Sequence, residues 1–232
     1  MRFFDLAARW LFIVCIPVLL ISSNIRWAVN EVRLYEYGFD KYEVSQTTGL
    51  EPGELRRAAE GLIGYFNSDD EPVHIMVVKD EEEFDLFNER EVAHLRDVKG
   101  LIQLDYRLQL GTLVYALGFV AFGLGWRKRR YRRSLARGAL GGGALTIAVM
   151  LALGIGTLFG FEQLFLQFHL LGFSNELWVL DPARDYLIMM FPQGFFYYAA
   201  LFVAVATAAG GLILGGIGVF FLLARGKAAE LG

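Results

Sequence analysis

The sequence predicts an α-helical membrane protein with four transmembrane helices and a small extracytoplasmic α/β cap. Of its 232 residues, 55% are hydrophobic and only 20% are charged, which is too apolar for an ordinary soluble domain. Four uncharged runs approach or reach the roughly 20 residues that a helix needs to cross a bilayer. Acidic and basic residues separate into different connecting segments. A chain of this length has no room for a large transporter with repeated halves.

The first predicted span lies between Arg9 and Arg26 and is short for a bilayer crossing. Both arginine side chains are long enough to extend to the lipid headgroups, and a tryptophan directly follows each, as is typical of membrane interfaces. The run also resembles a secretory signal peptide, with small residues at Ser22-Ser23 where cleavage would leave three spans. We favour an uncleaved anchor because no A-x-A cleavage site is present.

The distribution of basic and acidic residues predicts on which side of the membrane each connecting segment lies. The segment 127–138 contains seven basic and no acidic residues, whereas 28–107 contains nineteen acidic and nine basic residues. Short cytoplasmic loops have an excess of lysine and arginine, so 127–138 and both termini should be cytoplasmic, with the cap outside. Specific binding of anionic lipids is the alternative explanation for the basic segment.

The predicted order is transmembrane helix 1 at 1–27, the cap at 28–107, helix 2 at 108–126, the basic loop at 127–138, helix 3 at 139–161, an aromatic extracytoplasmic loop at 162–192, helix 4 at 193–224 and a cytoplasmic tail at 225–232. Closely spaced glycines inside the spans, such as Gly141-Gly142-Gly143 and Gly211 with Gly215, predict close helix packing rather than chemistry.

The cap is predicted to contain both strands and helices. Apolar and polar residues alternate loosely at 32–44, which favours a strand, and the run 72–78 predicts a second strand. Apolar residues at helical spacing from Leu55 to Phe66 predict a helix between them. Asn88 with Glu91 three residues later resembles a capping box, which opens a helix that runs into the second span.

Two of the three histidines fall where the outer segments approach the predicted spans. His94 lies on the amphipathic helix before the second span, and Asp97 lies on the same helical face, where it can orient the imidazole or stabilise its charge. A polar interfacial residue is the plainer interpretation of His94. His169 follows the third span. His74 lies among apolar residues of a predicted strand and is interpreted as an ordinary cap histidine.

Aromatic residues are concentrated around His169. Twelve of the 34 aromatic residues of the chain lie between positions 159 and 198. A membrane-interface belt explains the aromatic run at 195–198. It does not explain the earlier aromatic residues, which alternate with polar ones. We therefore expect a pocket at the outer membrane surface, lined by Phe165, Phe168, Phe173, Asn175 and Trp178.

The topology places His94 and His169 at the same outer interface. Two imidazoles there can act as general base and general acid near pH 7. A metal or haem site is the alternative, although the tight spacing and further ligands of a zinc site are missing. The chain has no P-loop, H-E-x-x-H or C-x-x-C motif, and its single cysteine, Cys15, lies within the first span. The segment 172–176 begins like the nucleophile elbow of a serine hydrolase but lacks the last glycine of that motif, which argues against this class of enzyme.

The segments around the two histidines resemble a known family, the bacterial lipoprotein intramolecular transacylases (Lit). The four-span layout with an outer cap covers nearly the whole chain, although before Glu91 the match is one of layout rather than of residues. The matching motifs are E-x-x-H-L-x-D-V-K at 91–99, F-x-x-F-H at 165–169, F-x-N-x-x-W at 173–178 followed by L-D-P at 180–182, and L-I-x-x-x-P-x-x-F-F at 187–196.

The resemblance implies that an acyl chain moves from the sn-2 oxygen of a diacylglyceryl lipoprotein to the amine of its own N-terminal cysteine, giving a lyso-form lipoprotein. It implies a protein of the bacterial cell membrane with two catalytic histidines, which map onto His94 and His169, and without a metal, a cofactor or an acyl-enzyme. The sequence leaves open which histidine is the base, and Asp97 slightly favours His94. The implied partners are the lipoprotein and membrane lipid, without nucleic acid. The alternative is a non-enzymatic accessory or sensor protein whose acidic cap binds an envelope partner.

Overall fold

The structure is a computed structural model that describes residues 2–126, 128–158 and 160–230. The described residues are mostly helical, with one two-stranded hairpin. In chain order the elements are α1 Arg2–Asn30, α2 Val32–Lys41, α3 Val44–Thr48, α4 Pro52–Asn67, β1 Met76–Lys79, β2 Glu82–Asp85, α5 Glu89–Trp126, α6 Lys128–Leu158, α7 Phe161–Gly172, α8 Tyr186–Met190 and α9 Gln193–Glu230.

Four of the described helices are long and apolar enough to cross a membrane, so the predicted number of membrane helices is confirmed. The candidate in α5, Glu89–Gly125, has 37 residues, far more than the roughly 20 that a span requires. Its uncharged part begins at Leu108, and the preceding residues 89–107 include eight charged side chains. The part from Leu108 onward is nearly long enough to cross a bilayer by itself, so the charged part before it is not needed for the crossing. The other candidates are Asp5–Asn30, Tyr131–Thr157 and Gln193–Leu223.

The chain divides into two compact units. The helical unit comprises Met1–Ile25, Tyr106–Leu158 and Phe202–Gly232, and the cap unit comprises Arg26–Asp105 and Phe159–Leu201.

Small residues allow close helix contact inside the helical unit. A Cβ atom at Gly143 would lie 2.5 Å from the carbonyl oxygen of Gly211, which leaves no room for a side chain. This confirms the packing role predicted for these glycines, as expected for helices that associate in lipid. A polar contact adds to this packing, since Asn24 Nδ2 donates to Thr207 Oγ1 at 3.0 Å.

In the cap unit, the strand predicted at 32–44 is wrong, because helices α2 and α3 occupy that segment. The spacing of Val32, Tyr35 and Phe39 matches the helical period, and this pattern outweighs the loose alternation. Tyr35 and Phe39 are buried, and their rings lie 5.8 and 5.7 Å from the ring of Phe191. Contact with the aromatic core therefore stabilises α2 as a helix.

The remaining cap elements follow the predictions more closely. The helix predicted from Leu55 to Phe66 is confirmed as α4. The strand predicted at 72–78 begins later, at Met76, and pairs in antiparallel register with β2. Asp80 and Glu81 form the tight turn with φ of 53° and 68°, as a type I′ hairpin turn requires at both central positions.

Two segments predicted as loops contain helices. The basic segment 127–138 is helical from Lys128 onward, while Arg127 lies outside the described residues. Arginine, leucine and alanine are strong helix formers, so the high charge of this segment does not prevent helix formation. The aromatic segment 162–192 includes most of α7 and all of α8. In the predicted tail, 231–232 lie outside the described residues.

Candidate active site

The cap unit brings the two predicted catalytic histidines together. His94 lies near the start of α5 and His169 lies near the end of α7, and the centroids of their imidazole rings are 6.4 Å apart. Only 6% of His94 and 8% of His169 is exposed. Two residues that are far apart in sequence thus form a buried pair.

Aromatic side chains surround this pair. The ring of Phe173 lies 5.0 Å from His94 and 5.5 Å from His169, so it contacts both imidazoles. Phe165 and Trp178 lie 4.4 and 4.9 Å from the ring of His169. Phe168 lies 5.3 Å from His169 and is 54% exposed, so the aromatic cluster is open to its surroundings on this side. The four aromatic residues predicted to line the pocket all contact His169.

Asp97 makes a hydrogen bond that the sequence did not predict. Its Oδ2 atom accepts a hydrogen bond from Asn175 Nδ2 at 2.8 Å, so the carboxylate holds the segment after α7. Arg90 holds the same segment, since its Nη2 donates to the carbonyl oxygen of Glu176 at 2.6 Å. Asn175, predicted as a pocket residue, is exposed and makes the contact that fixes the aromatic segment to α5.

His94 is adapted to remain neutral. Its pKa is lowered to about 4, first by burial and then by the charge of His169, while the charge of Asp97 offsets this only in part. Near pH 7 the ring is therefore almost entirely uncharged. Its Nδ1 atom is buried and has no hydrogen-bond partner among the described residues. Because buried polar atoms are nearly always paired, this nitrogen is suited to bind a substrate group.

A backbone carbonyl fixes the orientation of His169. Its Nδ1 atom lies 2.8 Å from the carbonyl oxygen of Phe165, one helical turn earlier. A carbonyl oxygen can only accept, so Nδ1 donates and has the proton in this hydrogen bond. The neutral ring then has its lone pair on Nε2, where it can accept a proton.

The sequence that contains both histidines matches a known family. The family model described as lipoprotein intramolecular transacylase Lit matches residues 10–196. The chain belongs to the Lit family. The resemblance seen in the sequence is thereby confirmed, and the chain is a member of a family of membrane transacylases. No curated protein matches the chain in sequence.

Solved Lit structures share the fold of this chain. The structure of the membrane-integral lipoprotein intramolecular transacylase Lit from Bacillus cereus superimposes with a TM-score of 0.82 at 22% identity, covering 98% of this chain and all of that one. Two structures of the same Bacillus cereus protein with one histidine replaced match with TM-scores of 0.77 at 20% identity. In the arginine variant the match covers 98% of this chain and 96% of that one, and in the alanine variant 97% of each.

In this member of the Lit family, a capping network secures the helix that holds His94. Asn88 and Glu91 form the predicted capping box, since Asn88 N donates to Glu91 Oε2 at 2.8 Å and Glu91 N donates to Asn88 Oδ1 at 3.1 Å. The other oxygen of Glu91 accepts from Leu187 N at 2.6 Å. Asn88 Nδ2 also donates to Asp185 Oδ1 at 2.9 Å. The first turn of α5 is thus joined to the first turn of α8.

Sequence reasoning missed Asp185 in this network. It is 1% exposed, and its Oδ2 atom accepts from Asp181 N at 2.7 Å. The L-D-P motif at 180–182 marked this part of the chain but not this residue. A capping box shows which residues begin a helix, whereas the partners from a segment almost 100 residues later have no local sequence pattern.

His74, the third histidine of this Lit-family chain, lies apart from the pair. It is exposed at the hairpin, where its Nδ1 atom lies 2.7 Å from Asp85 Oδ2. Among the residues that the structure describes, no three histidine, cysteine or acidic side chains are grouped closely enough to hold a metal ion.

Proposed function

We propose that this Lit-family protein moves an acyl chain from the sn-2 glyceryl oxygen of a diacylglyceryl lipoprotein to the amine of the same molecule's N-terminal cysteine. The observation that supports this most strongly is the buried pair of imidazoles, 6.4 Å apart, inside aromatic walls. Apolar walls suit acyl chains, and imidazoles suit proton transfer near neutral pH. The product is a lyso-form lipoprotein.

His169 acts as the base in this proposal. Its Nδ1–H group is held by the carbonyl oxygen of Phe165, which leaves Nε2 free to take a proton from the cysteine amine. As the amine nitrogen bonds to the acyl carbon, the carbon–oxygen bond to glycerol breaks. The protonated His169 then returns its proton to the departing glyceryl oxygen. The step is balanced, because one proton leaves the amine and one reaches the alcohol.

His94 stabilises the tetrahedral intermediate in this proposal. Because its pKa is lowered to about 4, the ring is neutral at pH 7 and is unsuited to supply a full proton to the leaving group. A neutral imidazole still donates one N–H hydrogen bond, and a buried donor aimed at a developing oxyanion is among the largest contributions to acyl transfer. The sequence predicted one histidine as general acid and the other as general base. In this proposal His169 serves as base and then as acid, and His94 donates a hydrogen bond without transferring a proton.

The aromatic walls contribute by shaping the substrate. Amine and ester belong to one flexible lipid, so folding that lipid into a closed form brings the reacting atoms together. Well-oriented intramolecular reactions gain on the order of 7 kcal/mol or more. Phe173, which contacts both imidazoles, and Trp178, beside His169, are placed to restrict the lipid to this form.

We further propose that the cap faces outward and both termini are cytoplasmic. This rests on the nineteen acidic residues at 28–107 and on the seven basic residues at 127–138. It also agrees with a lipoprotein substrate whose N-terminal cysteine lies at the outer membrane surface.

The test is conversion of a defined substrate by the purified full chain in detergent micelles. A synthetic diacylglyceryl lipopeptide with a free N-terminal cysteine should become the N-acyl, lyso-glyceryl isomer. Tandem mass spectrometry distinguishes the two isomers, which have equal mass, by their N-terminal fragments. The matched control is the same lipopeptide with an acetylated amine, which has no nucleophile and should not react. If the folded protein leaves the free-amine lipopeptide unchanged, the proposed acyl transfer is wrong.

A further inference from the structure

A buried ammonium lies on the side of α5 that faces away from His94. Lys99 follows His94 by five residues, which corresponds to about 140° around the helix. It is only 5% exposed. Its Nζ atom donates to the carbonyl oxygen of Asp70 at 2.7 Å and lies 4.1 Å from the centre of the Tyr65 ring. Buried lysines are nearly always paired with a carboxylate, yet none of the described acidic side chains forms an ion pair with this one.

The hydroxyl of Tyr65, beside the Lys99 ammonium, is a second buried polar group that lacks its usual partner. It is buried and has no hydrogen-bond partner among the described residues. Burial and then the charge of Glu71 raise the pKa of Tyr65, while Arg96 lowers it, so the hydroxyl is close to both charges and stays protonated as a donor. Buried polar groups without partners are rare and call for a ligand or water.

A cavity of about 170 Å³ opens beside Lys99, whose ammonium also contacts the Tyr65 ring. Two cations and two carboxylates line it together with a side-chain amide, so its formal charge is balanced. A simple anion would be attracted by the two cations of the lining and repelled by its two carboxylates. A zwitterion with one negative and one positive group can pair with both kinds of side chain. The lining residues are Asp69, Glu71, Arg96, Lys99, Gly100 and Gln103.

The position of the cavity on α5 indicates where such a zwitterion is found. Gln103 precedes Leu108, where the uncharged run begins, by five residues, or about 8 Å along the helix axis. The polar headgroup layer on each side of a bilayer is about 5–8 Å thick. The part of the cavity that Gln103 lines therefore lies at the level of the lipid headgroups.

We propose that this cavity binds the headgroup of a zwitterionic phospholipid that has a primary ammonium, of the phosphoethanolamine type. The phosphate accepts hydrogen bonds from Lys99 and Arg96, with Tyr65 as a further donor beside them. The ammonium donates to Asp69 and Glu71. This site uses neither histidine, so the proposal does not depend on the acyl transfer.

The test is lipid binding to the purified full chain in detergent micelles, measured by native mass spectrometry with short-chain phospholipids. Phosphatidylethanolamine should bind about tenfold more tightly than phosphatidylcholine, whose quaternary ammonium cannot donate to the carboxylates, and than phosphatidylglycerol, which has no cation. Competition with inorganic phosphate distinguishes a site for a lipid headgroup from a site for a free anion. Inorganic phosphate should not displace the lipid at equal concentration.

Variants at two exposed positions test recognition of the phosphate and of the ammonium separately. Arg96→Gln should weaken binding of all three lipids about tenfold, because each has a phosphate. Glu71→Gln should weaken only phosphatidylethanolamine and bring it toward phosphatidylcholine. Arg57→Gln, which removes an exposed arginine of α4 that pairs with Glu54, is the matched control and should change nothing. Lys99→Met should abolish the preference, and the two exposed variants keep the test valid if Lys99→Met does not fold.

Three outcomes would overturn the proposal. Equal binding of the three lipids would exclude recognition of the ammonium. Full displacement of the lipid by inorganic phosphate would show that the cavity binds a free anion rather than a lipid headgroup. Unchanged lipid affinities in both Arg96→Gln and Glu71→Gln, in variants that unfold at the wild-type temperature, would place any lipid binding elsewhere on the protein.

Discussion

Acidification should destabilise the protein through His94. This imidazole has a folded-state pKa of about 4, mainly because it is buried, whereas an exposed histidine in the unfolded chain titrates near 6.5. Below pH 6.5 the unfolded chain therefore binds a proton that the folded chain does not. By linkage, the free energy of unfolding falls as the pH drops from about 6.5 toward 4, and it is fully regained above pH 7.

The size of the effect follows from these two pKa values. Between pH 7.5 and pH 5, a histidine with pKa values of about 4 folded and 6.5 unfolded reduces the free energy of unfolding by about 2 kcal/mol. For a protein of this length, 1 kcal/mol corresponds to about 2–4 °C in melting temperature. His94 should thus account for a fall of roughly 4–8 °C over this pH range.

The assay is thermal unfolding of the full chain in detergent micelles at pH 7.5 and pH 5. His94→Gln removes the titrating ring but keeps a polar side chain, so its melting temperature should fall by about 4–8 °C less than that of the wild type over this range. His74→Gln is the matched control because it removes an exposed imidazole, and it should retain the wild-type difference. An equal pH dependence in His94→Gln and the wild type would refute the argument that burial keeps His94 neutral.

Three further predictions concern the pocket wall, the capping network and the topology. Trp178→Ala should lower the rate of acyl transfer at least tenfold with little change in melting temperature, because Trp178 is only partly buried beside His169; full activity in kinetic assays would contradict this. Glu91→Gln should lower the free energy of unfolding by about 1–3 kcal/mol, measured by denaturant titration, because one buried N–H loses its acceptor, whereas Glu89→Gln on the exposed neighbour should be neutral. A reporter fused after Ser134 should give a cytoplasmic signal, and an external signal would reverse the proposed orientation.

The sequence was most informative where a local pattern determines the structure. Hydropathy and charge predicted four membrane helices, and the Asn88–Glu91 spacing predicted the start of α5. Topology predicted that His94 and His169 lie at the same outer interface, because His94 precedes the second span and His169 follows the third. The number of spans and the start of α5 depend on composition and on spacing within a few residues.

The sequence was least informative where tertiary contacts choose between competing local options. At 32–44 both a strand and a helix were compatible with the pattern, and burial of Tyr35 and Phe39 against Phe191 decides for the helix. The spacing of His94 and Asp97 placed them on one helical face. It could not show that Asn175, 78 residues after Asp97, takes the carboxylate as its acceptor.

A double-mutant cycle on conversion of the diacylglyceryl lipopeptide tests most directly whether His94 and His169 act together in the acyl shift. His94→Ala and His169→Ala should each reduce the rate by about 10²- to 10⁴-fold. The double variant should be slower than either one, but by less than the product of the two losses, because the base and the oxyanion donor act on the same tetrahedral intermediate. His74→Ala should convert the substrate at the wild-type rate. Wild-type conversion by either single variant at His94 or His169, with the protein folded in micelles, would contradict the two-histidine mechanism and favour a protein that binds an envelope partner without catalysis.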